Sequence, residues 1–183
     1  MDCTKCTIKG CRNSSPCQDN SDKYVENYSL PENQSKARAA SLLIDNGRAG
    51  SSSRLEEIVE YMKIQGYTRI GCAYCYGMEK EAVLLREYLV AAGFKTIMVS
   101  CTVDQVTESI IDTNKANQAV SCNPLGQAYL LNSSGVPFTI LMGLCLGHDI
   151  LIQKNLNMDF TTFVVKDRVY KNNPILGLPG LSF

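Results

Sequence analysis

Residues 67–101, YTRIGCAYCYGMEKEAVLLREYLVAAGFKTIMVSC, contain the clearest fold signal of this chain. The run that ends in CAYC favours a short strand, and the stretch GMEKEAVLLREYLVAAG has the apolar spacing of an amphipathic helix. FKTIMVSC then predicts a second strand, whose centre is almost wholly apolar, as is typical of a strand covered on both faces. The segment therefore predicts a strand–helix–strand unit with two parallel strands.

The sequence on both sides continues this alternation. SKARAASLLIDNG predicts a helix with Ser35 as N-cap and Gly47 as its end, and SSSRLEEIVEYMKIQG predicts a serine-capped helix that ends at Gly66. Beyond Pro124 come a helix, the strand PFTILMGLC, the helix GHDILIQKNL and the strand FTTFVVKD. We expect an α/β fold with a doubly wound, mostly parallel sheet of about four or more strands. Residues 103–121 show no clear pattern and leave room for an additional strand.

Three regions follow from the composition along the chain. Residues 1–17 are rich in cysteine and contain only Ile8 as a sizeable apolar residue, so they cannot bury a core of their own. Residues 18–34 are polar, contain Pro31, and are typical of a linker or a surface arm. We expect a small metal-binding knuckle at 1–17, a linker at 18–34 and an α/β domain at 35–183.

Charge and hydropathy exclude several classes of partner. The 183 residues carry a net charge of zero and show no basic stripe with aromatic residues, which argues against nucleic acid as a partner. The longest apolar stretches, such as VPFTILMGLCL, are far shorter than the roughly 20 residues of a membrane span. The residues after Met1 contain no basic and apolar signal sequence, so we expect a cytoplasmic protein without a membrane partner.

Four of the nine cysteines lie close together near the N-terminus. Cys3, Cys6, Cys11 and Cys17 have the spacing C-x2-C-x4-C-x5-C, which is compatible with a disulfide knot, a redox pair or a metal site. Cytosolic thiols are kept reduced, and an odd number of cysteines cannot all pair within one chain. We therefore expect these four to bind one Zn²⁺ tetrahedrally, or iron in its place.

The remaining five cysteines fall at predicted strand ends or just before a helix. Cys72 and Cys75 end the first strand, Cys101 the second and Cys145 the third, while Cys122 precedes the helix at Pro124. Because the carboxyl ends of parallel strands share one edge, where open α/β sheets place their ligands, several thiols should converge there. The simpler interpretation is that each thiol fills the core as a small apolar side chain.

Residues near that edge suggest chemistry beyond thiols alone. The only histidine, His148, lies three residues after Cys145 at the start of a helix, whose N-terminus favours a thiolate and a neutral imidazole. Cys145 and His148 are therefore the candidates for a catalytic role, and the alternative for His148 is an exposed ring that caps the helix. Lys166, Asp167 and Arg168 follow the fourth strand, where they either hold an anionic group or form an internal ion pair.

Other catalytic patterns fit the sequence less well. CAYC follows a strand and precedes a helix, as thioredoxin dithiols do, and GVPFTI resembles their proline loop. A pair of helices before the motif, and the helix GHDILIQKNL in place of a hairpin, argue against that fold. NGRAGSSSR lacks the lysine and the preceding strand of a phosphate-binding loop, and the histidine has no clear serine partner. Whether the protein is an enzyme stays open.

Several motifs together resemble one family. CTKC, RIGCAYCYGMEKEA, SCNPLGQAYLLN, LMGLCLGHD and VVKDRVYKNNP are similar to an uncharacterised family of predicted metal-binding proteins from anaerobic bacteria and archaea, which has four N-terminal cysteines. The resemblance covers nearly the whole chain and implies an architecture and a metal, but no reaction. It aligns Cys75, Cys122 and Cys145 with recurrent cysteines, and it places Cys101 in a segment that often holds a cysteine pair. Here Ser100 is the neighbour of Cys101, and Cys72 is an addition.

Three functional hypotheses follow. In the first, a zinc knuckle joins an α/β domain whose second site, formed by Cys75, Cys101, Cys122 and Cys145, holds an iron–sulfur cluster, since four thiolates are the usual ligand set. It would serve electron transfer or reduction of a small ligand, with a redox partner or a small molecule bound. In the second, the protein has no catalytic activity: the zinc knuckle docks a partner, and the α/β domain senses a metal or a small molecule. In the third, it is a thioredoxin-like dithiol module.

Overall fold

The structure, a computed structural model, describes residues 2–15 and 22–180. Its sheet consists of four parallel strands in the order β2-β1-β3-β4. Their bounds are Arg69–Tyr74 for β1, Lys95–Ser100 for β2, Phe138–Met142 for β3 and Asp159–Val164 for β4. The prediction of an α/β fold with a parallel sheet of four or more strands is therefore confirmed.

Seven α-helices lie in the described residues. They are α1 (Asp22–Tyr28), α2 (Pro31–Ile44), α3 (Arg54–Ile64), α4 (Glu79–Ala91), α5 (Glu108–Ile111), α6 (Pro124–Ser134) and α7 (Leu146–Asn155).

The predicted serine cap of α3 is confirmed. The Ser53 side chain accepts a hydrogen bond from the Glu56 N–H, and the Glu56 carboxylate accepts one from the Ser53 N–H at 2.7 Å. This reciprocal pair is a capping box, which satisfies two N–H groups that the first turn of a helix leaves unpaired. Gly66, at φ 72°, follows the last turn in the left-handed conformation that glycine adopts without strain.

The N-terminal helices begin earlier than predicted. The first helix was expected to start at Ser35, but α2 starts at Pro31, whose fixed φ and missing N–H suit the first helical position. Part of the predicted linker at 18–34 is also helical, because α1 occupies residues 22–28. The polar composition of this stretch is that of exposed helices rather than of an irregular arm.

The helices cover the sheet on both faces. One face packs against α3 and α4 through Ile58, Met62, Leu85 and Leu89, and the other face packs against α6 and α7. All five residues of β3 are buried, as expected for a central strand between two layers. The core therefore consists of two apolar clusters separated by the sheet.

The connections between strands reverse direction between β1 and β3. From β1 the chain passes through α4 to β2 on one side, whereas α6 returns it to β3 on the other side of β1, and α7 leads on to β4. The segments that follow β1 and β3 therefore leave toward opposite faces of the sheet. Such a switch point opens a crevice at the carboxyl ends of the two strands, where open α/β sheets bind ligands.

Residues 103–121 add no strand to the sheet. They contain a short 3-10 turn, the helix α5 and a single antiparallel bridge between Thr107 and Val120. The segment is attached to the following helix, because the Asn123 side chain donates a hydrogen bond to the Val103 carbonyl at 3.3 Å.

No helix in the described part of the chain is long and apolar enough to cross a membrane.

Candidate functional site

Four cysteines converge at the carboxyl edge of the sheet. Cys101 and Cys122 are closest, with their sulfurs 3.4 Å apart, and Cys75 packs in the same buried cluster. Cys75 and Cys145 both lie close enough to Cys122 to interact with it electrostatically. We call Cys75, Cys101, Cys122 and Cys145 the edge site.

Backbone hydrogen bonds fix these cysteines just beyond the strand ends. The Cys75 N–H donates to the Met142 carbonyl at 3.1 Å, and the Cys101 N–H donates to the Tyr74 carbonyl at 2.9 Å. The Cys101 carbonyl in turn accepts a hydrogen bond from the Asn123 N–H at 2.6 Å, which brings Cys122 beside Cys101. Hydrogen bonds thus continue the sheet past its last regular residues and position three of the four thiols.

Cys72 does not belong to this group. It is fully buried between the sheet and the helices α3 and α4, whereas Cys75 lies in the cluster on the other face. Burial raises the pKa of the Cys72 thiol to about 12, so it is a neutral core side chain. The two thiols of CAYC therefore face opposite sides of the sheet and do not form the dithiol that a thioredoxin-like site requires.

Two cations contact the edge site. Lys166 Nζ lies 3.1 Å from Cys75 Sγ, and Arg168 Nη2 lies 3.2 Å from Cys145 Sγ. Within the residues that the structure describes, neither cation forms an ion pair with a carboxylate. The expected alternative of an internal ion pair with Asp167 is therefore not what the structure shows.

A short structured turn presents these two cations. Asp167 accepts hydrogen bonds on its carboxylate from the N–H groups of Val169 and Tyr170, at 2.9 and 2.8 Å. The Asn172 side chain accepts from the Asp167 N–H at 3.0 Å, and the Asn172 N–H donates to the Asp167 carbonyl at 2.8 Å. We call residues 166–172 the cationic turn.

The electrostatic surroundings differ among the thiols. Burial raises the pKa of Cys101 to about 12 and also raises the pKa of Cys122, so this pair is neutral at neutral pH. The hydrogen bond to Cys145 raises the pKa of Arg168, so this guanidinium stays positively charged beside the sulfur. The N-terminus of α7, which carries partial positive charge, begins directly after Cys145.

A buried amide that the sequence analysis missed supports the edge site. Gln127 of α6 is fully buried, and its side-chain nitrogen donates to the carbonyls of Tyr74 and Val99, at 3.2 and 2.8 Å. This side chain ties the ends of β1 and β2 to the helix that follows Cys122. A polar residue in the otherwise apolar run PLGQAYLL is the signal that would have identified it.

His148 and the N-terminal cysteines are the remaining residues that the sequence singled out. His148 lies in the first turn of α7 with its Nδ1 atom buried and without a hydrogen-bond partner among the described residues. Cys3 and Cys11 are exposed and Cys6 is half-buried, in a segment of two 3-10 turns where the Lys9 N–H donates to the Cys6 sulfur at 3.4 Å. Cys17 lies outside the described residues, so the four-cysteine zinc site stays a prediction.

The chemistry of the edge site suits a soft metal or an iron–sulfur cluster. A tetrahedral site with bonds of about 2.3 Å separates its sulfurs by roughly 3.8 Å, close to the 3.4 Å between Cys101 and Cys122. Among residues 2–15 and 22–180, no group of three cysteine, histidine or carboxylate side chains is close enough together to hold a metal ion. The sulfurs of Cys75 and Cys145 are hydrogen-bonded to the two cations instead.

A cavity of about 350 Å³ lies at the opposite, amino end of the sheet. Its charged groups already have partners, since Lys36 pairs with Asp159 at 2.8 Å, and Arg54 pairs with Glu57 at 3.9 Å and donates to the Thr161 hydroxyl at 2.6 Å. This cavity contains no thiol, so it does not coincide with the crevice that the sequence predicts at the carboxyl edge.

The comparisons with known proteins agree with the predicted resemblance but name no function. A family model described as a protein of unknown function (DUF1847) matches residues 11–163. An uncharacterized protein of Methanocaldococcus jannaschii is 38% identical over 177 residues, which cover 94% of this chain and 91% of that protein. No solved structure matches the chain. The chain therefore belongs to the DUF1847 family of proteins of unknown function.

Proposed function

We propose that this protein is a metal–thiolate protein whose functional centre is the edge site. Cys75, Cys101, Cys122 and Cys145 would hold an iron–sulfur cluster or a single soft metal ion, the two kinds of group that an all-thiolate ligand set selects. When bound, that group would supply electron transfer or a site for the reduction of a small ligand. The N-terminal cysteines Cys3, Cys6, Cys11 and Cys17 would form a separate structural zinc site.

The observation that carries this proposal is the meeting of four thiols, from four separate parts of the chain, at the switch point of the sheet. Each thiol follows a strand or precedes a helix, so rigid elements determine its position. Both sulfur-bound cations come from the same turn, and neither pairs with a carboxylate in the described residues. Core filling alone does not explain why lysine and arginine are directed at thiols.

Metal binding would require the thiols to move closer together, because no three of them form a metal-binding group in the described residues. Cys101 and Cys122 already have a suitable sulfur separation, and both must lose a proton, because thiolate is the form that binds metal. Cys75 is buried and Cys145 is half-buried. Each of these two sulfurs can change its position by rotation about the Cα–Cβ bond of its own side chain. We infer a cytoplasmic location, where such thiols stay reduced, and a redox protein or a small molecule as partner rather than nucleic acid.

The test is metal analysis of protein purified without oxygen. We expect iron and acid-labile sulfide, or another soft metal, in a full-length Cys3→Ser/Cys6→Ser variant in which the N-terminal site is disabled. Visible absorption should show sulfur-to-metal charge transfer. Replacing Cys75 or Cys145 by Ser should abolish that absorption.

Cys72 provides the matched control, because it is the other thiol of CAYC and lies in the core cluster on the opposite face of the sheet. Cys72→Ala should keep the metal content and the absorption of the parent variant. If the parent variant binds neither iron nor cobalt at the edge site, even after anaerobic reconstitution, the proposal is wrong. Equal loss in Cys72→Ala and Cys75→Ser would also reject it, since the effect would then come from the core.

A second candidate function is dithiol–disulfide chemistry by Cys101 and Cys122. Their sulfurs are 3.4 Å apart, and a disulfide requires about 2.05 Å. Each turnover would convert two thiols to one disulfide and pass two electrons and two protons to an oxidant such as a small-molecule disulfide. The raised pKa of both thiols makes them slow nucleophiles, which is why we place this candidate second. Mass analysis after oxidation with glutathione disulfide and alkylation tests it.

A further inference from the structure

We propose that Lys166 and Arg168 are the counter-charges of the loaded edge site, so that the cationic turn is part of the metal centre. The inference rests on the proposed function, because it concerns the state in which a metal ion or cluster is bound. It assigns the two side chains a role that neither the cysteine pattern nor the family supplies. They would not be ligands but positioning residues, which act through the sulfurs of Cys75 and Cys145.

The charge balance of the site supports this role. Four thiolates carry four negative charges, and a divalent ion removes only two of them, so the filled site keeps a double negative charge. Cys75 and Cys101 are buried, and a buried net charge is costly unless opposite charges compensate it. One lysine and one arginine supply that compensation. A site that held two neutral core thiols and nothing else would need neither cation.

The positions of the cations agree with the charge balance. Each cation contacts a different sulfur: Lys166 lies 3.1 Å from Cys75 Sγ, and Arg168 lies 3.2 Å from Cys145 Sγ. The positive charge is therefore divided between the cysteine that follows β1 and the cysteine that follows β3. Hydrogen bonds with a charged partner are stronger than neutral ones. N–H donors directed at ligand sulfurs are among the means by which proteins tune iron–sulfur centres.

The turn that presents the cations is built so that its own acidic residue does not neutralise them. Asp167 lies between them in sequence, but its carboxylate accepts the N–H groups of Val169 and Tyr170.

The experiment titrates Co²⁺ into the full-length Cys3→Ser/Cys6→Ser variant and follows sulfur-to-cobalt charge transfer. We expect Lys166→Met and Arg168→Met each to weaken Co²⁺ affinity about tenfold, the loss of one charge-assisted hydrogen bond of about 1.4 kcal/mol. Lys166→Arg and Arg168→Lys, which keep the charge, should recover most of the affinity. The wavelength of the charge-transfer band should shift in the Met variants, because the N–H donor to sulfur is lost.

The control is Lys154→Met, which removes a lysine from the last turn of α7, and it should leave the titration unchanged. Cobalt binding with unaltered affinity in Lys166→Met and Arg168→Met would overturn the inference while leaving the proposed metal site intact. Tighter binding in those variants would also overturn it, since the cations would then compete with the metal. Absence of any sulfur-to-cobalt band in the parent variant would instead count against the proposed function itself.

Discussion

At the scale of single residues, the side-chain alternation of β1 separates two neighbouring thiols. Cys72 and Cys75 are three positions apart, an odd number, so in an extended chain they face opposite sides of the sheet. Cys72 is completely buried beside α3 and α4, whereas Cys75 reaches the edge site and contacts Lys166. The same motif therefore contributes one thiol to the core and one to the candidate metal centre.

The buried Cys72 thiol predicts a loss of stability in alkali. Its pKa is raised from 9.0 to about 12, so below pH 9 both folded and unfolded chains keep the proton and stability does not change. Above pH 9 only the unfolded chain releases the proton, which favours unfolding by up to about 1.4 kcal/mol per pH unit. Urea unfolding of metal-free protein between about pH 8 and about pH 10 should show a shallower decline in Cys72→Ala.

The raised pKa of another buried thiol does not obscure the comparison of wild type with Cys72→Ala. The pKa of Cys101 is raised in the same direction, but that thiol is present in both proteins and cancels in the difference. Identical pH dependence of wild type and Cys72→Ala would contradict the prediction, and would mean that the folded protein admits water to Cys72.

At the scale of elements, α6 determines how the thiol-bearing strand ends are arranged. Its N-cap residue Asn123 accepts from the Gly126 N–H at 2.8 Å, which fixes the start of the helix beside Cys122. One turn later, Gln127 crosses to the carbonyls of Tyr74 and Val99. The helix therefore connects three of the four segments that carry edge-site cysteines, and a single amide accounts for two of the links.

We predict that Gln127→Met destabilises the protein by about 1–3 kcal/mol, because the methionine fills the space but removes the donor to the Val99 carbonyl, while the Tyr74 carbonyl keeps only the Cys101 N–H. It should also alter the cobalt spectrum of the edge site, since the ends of β1 and β2 are no longer tied to α6. Urea unfolding and cobalt absorption measure the two effects.

Thr139→Val is the control for this change. Thr139 is likewise fully buried, on the same face of the sheet, and its hydroxyl has no hydrogen-bond partner in the described residues. Replacing it by an apolar residue of the same shape should leave stability equal or higher and the cobalt spectrum unchanged. If both variants change the spectrum equally, Gln127 has no special role at the site.

At the scale of the whole molecule, the N-terminal segment and the α/β domain are stabilised by different means. The α/β domain buries two apolar clusters on a rigid sheet, whereas the 3-10 turns at Cys3–Lys5 and Gly10–Arg12 contain no buried residue. A segment without a core depends on a ligand for its order, as small zinc domains do. The two parts should therefore respond independently to metal removal.

We predict that the Cys3→Ser/Cys6→Ser variant loses one zinc but unfolds at the same temperature as the wild type. Circular dichroism during heating and zinc analysis of the purified protein measure these outcomes, and amide exchange should become fast at residues 3–12 only. A clear fall in the unfolding temperature would show that the segment stabilises the α/β domain through contacts, contrary to this division.

The layered architecture is readable from the sequence, because apolar periodicity and helix caps are local signals. The pattern of residues 67–101 predicted β1, α4 and β2, and the serines before Arg54 predicted a capped start of α3. The gathering of strand-end cysteines at one edge also followed from the sequence, since parallel strands share their carboxyl edge. The helical arm at 22–28 was missed because its exposed polar residues give no strong periodicity.

Which groups surround each thiol depends on tertiary packing. Lys166 and Cys75 are 91 positions apart, and Gln127 and Tyr74 are 53 positions apart, so no local pattern encodes such contacts. The exclusion of Cys72 from the edge site, and the use of Asp167 inside its own turn rather than in an ion pair, likewise depend on the packed fold. The reason is physical: periodicity specifies which face a residue occupies, whereas the identity of its neighbours is set by how distant segments pack together.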